Sequence, residues 1–489
     1  MSDSKVVDDD KMDISHLEET KDVEKQTTHI AVSDDMQKRI KRKFDRRVLP
    51  IVCILYVLSY LDRGNTGNAK TAGAQKDLKL SDSEWTWVLN AFYICYTLCE
   101  WAVVFWKIFP AHIYVAALCV AWGAAAMASG AAHNMASMVV VRVILGILEA
   151  GFGAGAPYYL SLFYQRRELG FRVSLLLGMS PLASCFAAAL AYGITHIKGS
   201  IEPWRLLFII EGAPTVLAAP FVFFLLPDSP DTARFLTEEE QKASLTRLTT
   251  VDTTATRKLN WHQVLSGMGD YKNYTHALIH FCCNYSFAGL SNFLPTIVQN
   301  LGYSSIQAQG LTAPPYLLSF ILCVCAAIYS DRFGHRGFVV AGFSFIGGVG
   351  YLLLATIEKP HLSGVRYFGI WLSVCGIFPA LAINLTWLLN NQGGDSKRGT
   401  GLAILAILGQ CSSFASSALF PTKDAPYFVR GCAVGCAFTF LITLLSLGLH
   451  FKLTHENNKR DRLHGPVEDH EQIDITLLSD KHPKFRYLT

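Results

Sequence analysis

The chain has 489 residues, of which 51% are hydrophobic and 17% are charged, and its formal net charge is +4. Soluble globular domains carry about 25% charged residues, so this composition indicates a membrane protein rather than a soluble one. All thirteen cysteines fall within apolar segments, and a disulfide framework is therefore not expected. The acidic, polar beginning of the chain does not resemble a cleaved signal peptide.

The first segment, residues 1–37, is polar and charged with few aromatic residues, and it is predicted to be a disordered tail. A basic run from Lys38 to Arg47 follows, directly before the first apolar segment. Such a run marks the cytoplasmic side of a membrane helix. Binding of this run to anionic lipid is a compatible second interpretation.

Twelve apolar segments follow, each near the roughly twenty residues that a transmembrane helix needs. We number these predicted helices 1 to 12. They cover residues 48–66, 84–106, 112–131, 136–163, 171–196, 204–226, 274–298, 308–330, 338–357, 365–389, 400–420 and 427–451. Basic residues concentrate in alternate loops, so both termini are predicted to be cytoplasmic.

The polar stretch between helices 6 and 7 divides the chain into two halves of six helices. The predicted fold is therefore an all-α membrane protein of two six-helix bundles in the lipid bilayer, an arrangement typical of secondary transporters. An ion channel would more naturally show a re-entrant filter segment, and none is visible in this sequence. The predicted organisation is a disordered tail at 1–37, an N-terminal bundle at 38–226, a cytoplasmic linker at 227–273, a C-terminal bundle at 274–452 and a cytoplasmic tail at 453–489.

Helix 1 carries Asp62 and Arg63 deep in its apolar run. At about 1.5 Å per residue, Asp62 lies roughly 20 Å past Val48, still inside a hydrocarbon core about 30 Å thick. Ionised side chains at that depth survive by pairing or by facing a water-filled path, so they mark a functional site by default.

Helix 4 carries Arg142 and Glu149, which are seven residues and therefore about two turns apart on one face. Burial favours the protonated form of a carboxyl group, whereas a neighbouring arginine favours the carboxylate. A substrate anion that competes for the arginine would change the proton affinity of the carboxylate, and proton coupling by Asp62 and Glu149 follows as a hypothesis. The alternative is a static ion-pair network that holds helices 1 and 4 together.

Helices 7 to 12 contain almost no charge and offer amides instead, so Asn284, Asn384 and Gln410 are candidate substrate contacts. Tyr93 on helix 2 is a further candidate, with ordinary packing as the equal alternative. Glu100 is interpreted as a structural cap or gate. Glu211 is expected to order the region between helices 5 and 6. The turn between helices 8 and 9 has the chemistry of a cytoplasmic gate, with Asp331, Arg332 and Arg336. His276 and His280 lack a third ligand, so no metal site is predicted.

Several motifs together resemble the anion:cation symporter family of the major facilitator superfamily. They are Tyr60-Leu-Asp-Arg-Gly-Asn-Thr-Gly-Asn-Ala69, the helix 4 segment Arg142–Pro157, Leu226-Pro-Asp-Ser-Pro-Asp231, Asn292-Phe-Leu-Pro-Thr-Ile-Val298 and Leu311-Thr-Ala-Pro-Pro-Tyr316. The loop Asn390-Asn-Gln-Gly-Gly-Asp-Ser-Lys-Arg398 is similar to that of the fungal allantoate permease-like branch. The resemblance covers about residues 40–455.

The resemblance implies a major facilitator fold and proton-coupled uptake of an organic anion, such as a vitamin or a nitrogen or sulfur source. In bacterial sugar-acid symporters of this family, the positions matching Asp62 and Glu149 are proton sites, and the position matching Arg63 couples them to the substrate. Tyr60 matches a tyrosine that contacts substrate, and Arg142 matches the arginine of helix 4.

Two departures from the family pattern affect this transfer of roles. The loop after helix 2 reads Trp106-Lys-Ile-Phe-Pro-Ala-His112 where the superfamily usually has a Gly-x-x-x-Asp-Arg-x-Gly-Arg-Arg pattern, whereas the copy at Asp331 is kept. Helix 11 has Gln410 where an asparagine is frequent, so no single member's substrate transfers to this chain.

The sequence therefore predicts a proton-coupled importer of a carboxylate or sulfonate in the plasma membrane, acting as a monomer without cofactor, catalytic site or nucleic-acid partner. Two alternatives remain open at this point. One is an exporter of a secondary metabolite with the same fold, and the other is a nutrient receptor that binds its ligand without transporting it.

Overall fold

The computed structural model describes residues 33–153, 155–197, 199–251, 261–465, 480 and 482–489, and these residues form helices and loops without a β-strand. Twelve long helices match the predicted ones and keep their numbers. Helices 1 to 6 are Leu49–Thr71, Asp82–Cys99, Ala111–Ser129, Met135–Gly153, Arg166–Ile194 and Pro203–Leu225. Helices 7 to 12 are Tyr271–Gln299, Ser305–Phe333, Arg336–Thr356, Ser363–Asn391, Asp395–Ala418 and Val429–His464.

Two of these helices have extensions. Helix 2 continues through a 3-10 segment, Glu100–Val104, into the short helix Phe105–Ile108. Helix 4 is followed by Gly155–Ser161. Capping explains why some helices begin where they do: Ser81 and Glu84 form a reciprocal capping box at the start of helix 2, which satisfies backbone N–H groups of the first turn.

Ten helices of the described chain are long and apolar enough to cross a membrane, namely helices 2 to 6 and 8 to 12. Helices 1 and 7 are long enough, with 23 and 29 residues, but they contain more polar side chains. These side chains are buried inside the protein instead of facing lipid; Asp62, Arg63 and Asn292 are examples. Helices 1 and 7 also pack directly against each other, so their polar side chains lie where the two halves meet.

Small residues allow close helix packing within each half. In the N-terminal half, a Cβ added at Gly146 of helix 4 would lie 2.6 Å from the carbonyl oxygen of Phe92 in helix 2. In the C-terminal half, one added at Gly376 of helix 10 would lie 2.4 Å from the backbone nitrogen of Gly347 in helix 9. Such close backbone approach is how membrane helices gain packing energy without a hydrophobic driving force between them.

The N-terminal helix and the loops define one side of the molecule, which we call the termini side; the opposite side is the far side. A helix Asp34–Arg47 precedes helix 1 and is tied to helix 5 by the ion pair of Asp45 with Arg172, 2.7 Å long. Lys43 also pairs at 2.5 Å with Glu240, in the linker helix Glu238–Val251. A second linker helix covers Trp261–Met268.

The chain ends differ from the expected tails. Residues 1–32 of the first tail lie outside the described residues, but 34–37 are helical because Ser33 accepts a hydrogen bond from the Met36 N–H and caps the helix. Helix 12 extends to His464, twelve residues past the predicted tail boundary at 452. Asp480 and residues 482–489 lie on the termini side against the C-terminal half.

Candidate functional site

A buried ion pair joins helices 1 and 4 near the middle of the N-terminal half. An Arg63 guanidinium nitrogen lies 3.3 Å from Oε2 of Glu149, and these side chains are 7% and 0% exposed. The Ser59 hydroxyl donates to the same carboxylate oxygen at 3.4 Å. The structure thus brings together two of the predicted proton-coupling and substrate-binding residues, Glu149 and Arg63, in an environment without bulk water.

Three aromatic rings surround the Arg63 guanidinium. Its central carbon lies 4.5 Å from the ring centre of Tyr96, 4.6 Å from that of Tyr60 and 5.2 Å from that of Phe92. A cation over a ring face is stabilised by about 0.5–2 kcal/mol per contact. The rings therefore hold the guanidinium in place independently of its carboxylate partner.

Asp62, Arg142 and Glu211 form a second buried charged group beside this pair. The side chains of Asp62 and Glu211 are both buried, and none of their carboxylate oxygens has a hydrogen-bond partner among the described residues. The Arg142 guanidinium lies 5.2 Å from the ring centre of Phe208 and interacts electrostatically with Asp62 and Glu149. The indole of Trp122 lies close to Asp62.

Glu211 differs from the expectation that it orders the region between helices 5 and 6. Its carboxylate faces helix 1 and interacts electrostatically with Asp62. The site therefore contains three buried carboxyl groups, Asp62, Glu149 and Glu211, with two buried arginines. The helical spacing of Glu211 alone gave no signal for this, because its neighbour belongs to another helix.

The C-terminal half contacts tyrosines beside these buried charges through neutral side chains. The Asn292 amide donates to the Tyr93 hydroxyl at 2.9 Å, and the Phe287 ring packs edge-on against Tyr60 with centroids 5.8 Å apart. Both contacts join helix 7 to the N-terminal half. The expected division into a charged half and a neutral half is thus realised where the halves meet.

The remaining predicted substrate contacts occupy three different places. Gln410 lies beside the Glu100 carboxylate across the boundary between the halves. Asn284 is buried against Gly409, where an added Cβ would lie 3.0 Å from the amide nitrogen. Asn384 is engaged with His276: its amide oxygen lies 2.8 Å from Nδ1, and its amide nitrogen donates to the His276 carbonyl at 3.1 Å. The structure thus places Asn384 in a contact between helices 7 and 10, away from Arg63.

The predicted gate residues lie where helices 5, 8 and 9 meet on the termini side. Arg336 donates to Asp331 at 2.7 Å, and the Asp331 carboxylate lies against the backbone N–H of Phe171 in helix 5. Arg332, in contrast, is exposed and packs over Phe333. Asp331 and Arg336 therefore form a contact between the halves, and Arg332 stands outside it.

A neutral contact between the halves accompanies the charged one on the termini side. The hydroxyl oxygens of Ser174 in helix 5 and Thr386 in helix 10 lie 2.6 Å apart, and both side chains are buried. Sequence reasoning missed this pair, because isolated hydroxyls in an apolar helix carry no distinguishing pattern.

The two halves also touch on the far side. A Cβ added at Gly67 of helix 1 would lie 2.5 Å from the carbonyl oxygen of Asn292 in helix 7. The Gln309 amide of helix 8 donates to the Asn68 carbonyl at 3.1 Å, and Ser305 donates to the Thr71 carbonyl at 2.7 Å. The charged group thus lies between two sets of contacts that join the halves, one on each side.

Comparisons with known proteins agree with this architecture. The profile of the Major Facilitator Superfamily matches residues 52–417. The chain is 32% identical over 471 residues to the major facilitator-type transporter hxnP of Emericella nidulans, covering 94% of this chain and 95% of that protein. It is 30% identical to the high-affinity nicotinic acid transporter of Saccharomyces cerevisiae, covering 93% of this chain and 86% of that protein.

Solved structures show the same fold. The proton:xylose symporter XylE bound to 6-bromo-6-deoxy-D-glucose matches with a TM-score of 0.64 at 16% identity, covering 82% of this chain and 95% of that chain. A bacterial homologue of the human lysosomal transporter Spinster matches with a TM-score of 0.56 at 14% identity, covering 84% and 97%. The chain therefore belongs to the major facilitator superfamily and is a multi-pass membrane transporter, not an enzyme.

Proposed function

We propose that this transporter imports a small organic anion together with protons. The observation that carries the proposal is the buried Arg63–Glu149 pair inside its aromatic cage. Arg63 would bind the substrate carboxylate or sulfonate, and Tyr60, Tyr93 and Arg142 would complete the site from the N-terminal half. Gln410 and Asn284 are the proposed neutral contacts from the other half.

The buried pair offers a physical route to proton coupling. If a substrate anion binds the Arg63 guanidinium, Glu149 is left as a buried charge without its partner. Breaking a buried ion pair in this way costs about 3–5 kcal/mol. Uptake of a proton by Glu149 removes that cost, so substrate and proton binding support each other. Asp62 is the proposed second proton site, because its buried carboxylate oxygens have no hydrogen-bond partner among the described residues.

The substrate class follows from the same chemistry. A guanidinium presents two parallel donors that match a planar carboxylate, and the rings around Arg63 suit a flat organic group. Similarity to a yeast protein named as a nicotinic acid transporter supports an organic acid. We place the chain in the anion:cation symporter family on the motifs that include those of helices 1, 4 and 7, and in its allantoate permease-like branch on the loop of residues 390–398.

We further propose that the termini side is cytoplasmic and that the membrane is the plasma membrane. The basic run of residues 38–47 and the gate residues Asp331 and Arg336 lie on that side, in agreement with the excess of basic residues in cytoplasmic loops. We also propose that the protein acts as a monomer. The proposed domains are the two six-helix bundles and the cytoplasmic linker at 227–273, with helix 12 continuing to His464.

The test is uptake of radiolabelled organic acids, nicotinate among them, by transporter-deficient yeast from about pH 4.5 to about pH 7.5. Proton-driven import predicts accumulation that increases in acid and collapses with a protonophore. Absence of uptake across the panel, with the protein at the cell surface, would contradict import and favour the exporter. Binding without flux would favour the receptor.

A further inference from the structure

A cleft on the termini side of the C-terminal half holds two buried lysines. Lys272, at the start of helix 7, and Lys397, in the first turn of helix 11, have side chains that are 7% and 2% exposed. Buried charges need compensation by a partner, and Asp270 supplies one carboxylate, 2.7 Å from Lys397 and 3.3 Å from Lys272. One carboxylate for two ammonium groups leaves one positive charge uncompensated.

The second carboxylate comes from the end of the chain. Asp480 lies between both lysines, with one oxygen 2.7 Å from Lys272 Nζ and the other 2.5 Å from Lys397 Nζ, and the residue is 1% exposed. Asp480 thus completes a neutral group of two lysines and two aspartates. An ion pair buried to this degree costs several kcal/mol if one partner is removed.

Two asparagine side chains of the cleft bind the backbone of the same segment. Asn391 in helix 10 donates to the Leu488 carbonyl at 2.8 Å and accepts from the Leu488 N–H at 2.8 Å. Asn457 in helix 12 makes the matching pair of bonds with Tyr487, at 2.8 Å and 2.9 Å. The Trp387 indole is a second donor to the Leu488 carbonyl, at 2.7 Å. This pattern satisfies an extended backbone as a neighbouring β-strand would.

Aromatic side chains anchor the segment between these points. Tyr487 is buried; its ring centre lies 4.4 Å from Lys272 Nζ, and its hydroxyl accepts from the same nitrogen at 2.9 Å. Arg460 donates to the Tyr487 hydroxyl at 3.1 Å and to the Phe485 carbonyl at 2.7 Å. Helices 7, 10, 11 and 12 therefore each contribute at least one side chain to a single peptide-sized cleft.

The cleft is adjacent to the contact between the halves. Trp387 and Asn391, which hold Leu488, follow Thr386 in helix 10, and Thr386 makes the 2.6 Å hydroxyl contact with Ser174 of the other half. We propose that this cleft is a binding site for the chain's own C-terminal segment, Asp480 and residues 482–489, and that the docked segment stabilises the closed arrangement of the halves on the termini side.

Docking is expected to be insensitive to pH near neutrality. Burial alone would raise the pKa of Asp480, but the nearby Lys272 and Lys397 outweigh it and hold this pKa below its ordinary value of 3.8. A carboxyl group whose pKa is lowered on docking contributes its full stabilisation above its free pKa and loses it only in stronger acid. The other charged or titratable groups that face Asp480 are Asp270 and Tyr487, and the segment should therefore stay docked between about pH 5.5 and about pH 7.5.

The test is hydrogen–deuterium exchange of the full-length protein in nanodiscs, which needs no substrate and is independent of the transported ion. We compare the wild type with Asp480→Asn and with a chain that ends at residue 479. Release of the segment is expected to accelerate exchange about tenfold or more in the peptides around 386–391 and around 170–176, whereas peptides around 67–73 on the far side should not change. The exposed pair of Asp461 with Arg486 provides the control, because Asp461→Asn should change exchange less than about twofold.

A synthetic peptide of residues 480–489, added to the truncated chain, is expected to restore protection at both places. The same peptide with asparagine at its first position should fail to do so. Unchanged exchange in both variants would overturn the docking site. Faster exchange around 386–391 without any change around 170–176 would overturn the coupling to the contact between the halves.

Discussion

Arg63 in helix 1 and Glu149 in helix 4 meet at 3.3 Å although they are 86 residues apart in the chain. Charge-assisted hydrogen bonds between arginine and carboxylate are usually about 2.7–2.9 Å long, so this contact is not at its optimum. The three rings around the guanidinium hold it in place without saturating its donors. The proposed substrate carboxylate would therefore gain a better contact with Arg63 than Glu149 makes.

Replacing Glu149 with glutamine is expected to abolish proton-driven accumulation and to preserve exchange. Glutamine keeps the shape and a hydrogen-bond acceptor for Arg63 but cannot take up a proton. The proposed coupling requires that the side chain alternate between pairing with Arg63 and carrying a proton. The measurement is accumulation of labelled substrate in proteoliposomes under an imposed pH gradient, alongside counterflow without a gradient.

The control for this change is Glu358→Gln, which alters an exposed carboxylate in the loop after helix 9. Both activities should survive it. Accumulation by the Glu149→Gln variant at the wild-type level would remove Glu149 from the proton pathway and favour a static ion pair.

Replacing Arg63 with lysine is expected to raise KM by about 10- to 100-fold. Lysine keeps the positive charge but loses the planar fork that matches a carboxylate and much of the contact with three ring faces. Losing contacts worth about 1.4–2.7 kcal/mol gives an affinity change of this size. The measurement is the concentration dependence of initial uptake, with the exposed Arg42→Lys as the control. An unchanged KM would place the substrate away from Arg63.

The sequence predicted the twelve helices because each is a long run of mostly apolar residues, even helices 1 and 7, which contain more polar side chains. Charge in an apolar helix is rare, so the sequence also marked Asp62, Arg63 and Glu149 as candidate site residues, and the structure places Arg63 and Glu149 in contact. The sequence did not predict that Asn384 is engaged with His276, because that depends on how helices 7 and 10 pack. The position of Glu211 beside Asp62 depends in the same way on two helices far apart in sequence.

The contacts at the ends of the bundles were also beyond sequence reasoning. Helix 12 was expected to end at its last apolar residues, but polar residues up to His464 continue the helix outside the bilayer, where charge has no desolvation cost. The docking of Tyr487 and Leu488 depends on side chains from several helices that no local pattern relates.

Replacing Gly67 with alanine is expected to prevent closure of the far side and to reduce transport by at least about tenfold. The added Cβ would lie 2.5 Å from the Asn292 carbonyl oxygen, a backbone atom that cannot rotate away. Since favourable non-bonded separations are about 3.5 Å, helices 1 and 7 must move apart by about 1 Å. The measurement is the distance between spin labels at positions 76 and 361, combined with uptake.

Gly64, one turn earlier in helix 1, provides a matched control because an added Cβ there meets no atom within 4 Å. Gly64→Ala should therefore transport normally and show the wild-type distance distribution. Normal transport by the Gly67→Ala variant would show that close approach of helices 1 and 7 is not needed in the transport cycle.

Removing the Ser174–Thr386 contact is expected to open the termini side by a small, measurable amount. A hydrogen bond contributes about 1 kcal/mol net, so Ser174→Ala should shift the equilibrium between closed and open forms by about fivefold. Thr386→Val should have a similar effect, and the double variant should not exceed either single one if the two hydroxyls act through each other.

The measurement is the distance between spin labels at positions 42 and 335. Ser180→Ala is the control, because the Ser180 hydroxyl donates to a carbonyl of its own helix. Additive effects of the two substitutions would show that these hydroxyls act independently and that the 2.6 Å contact does not hold the halves together.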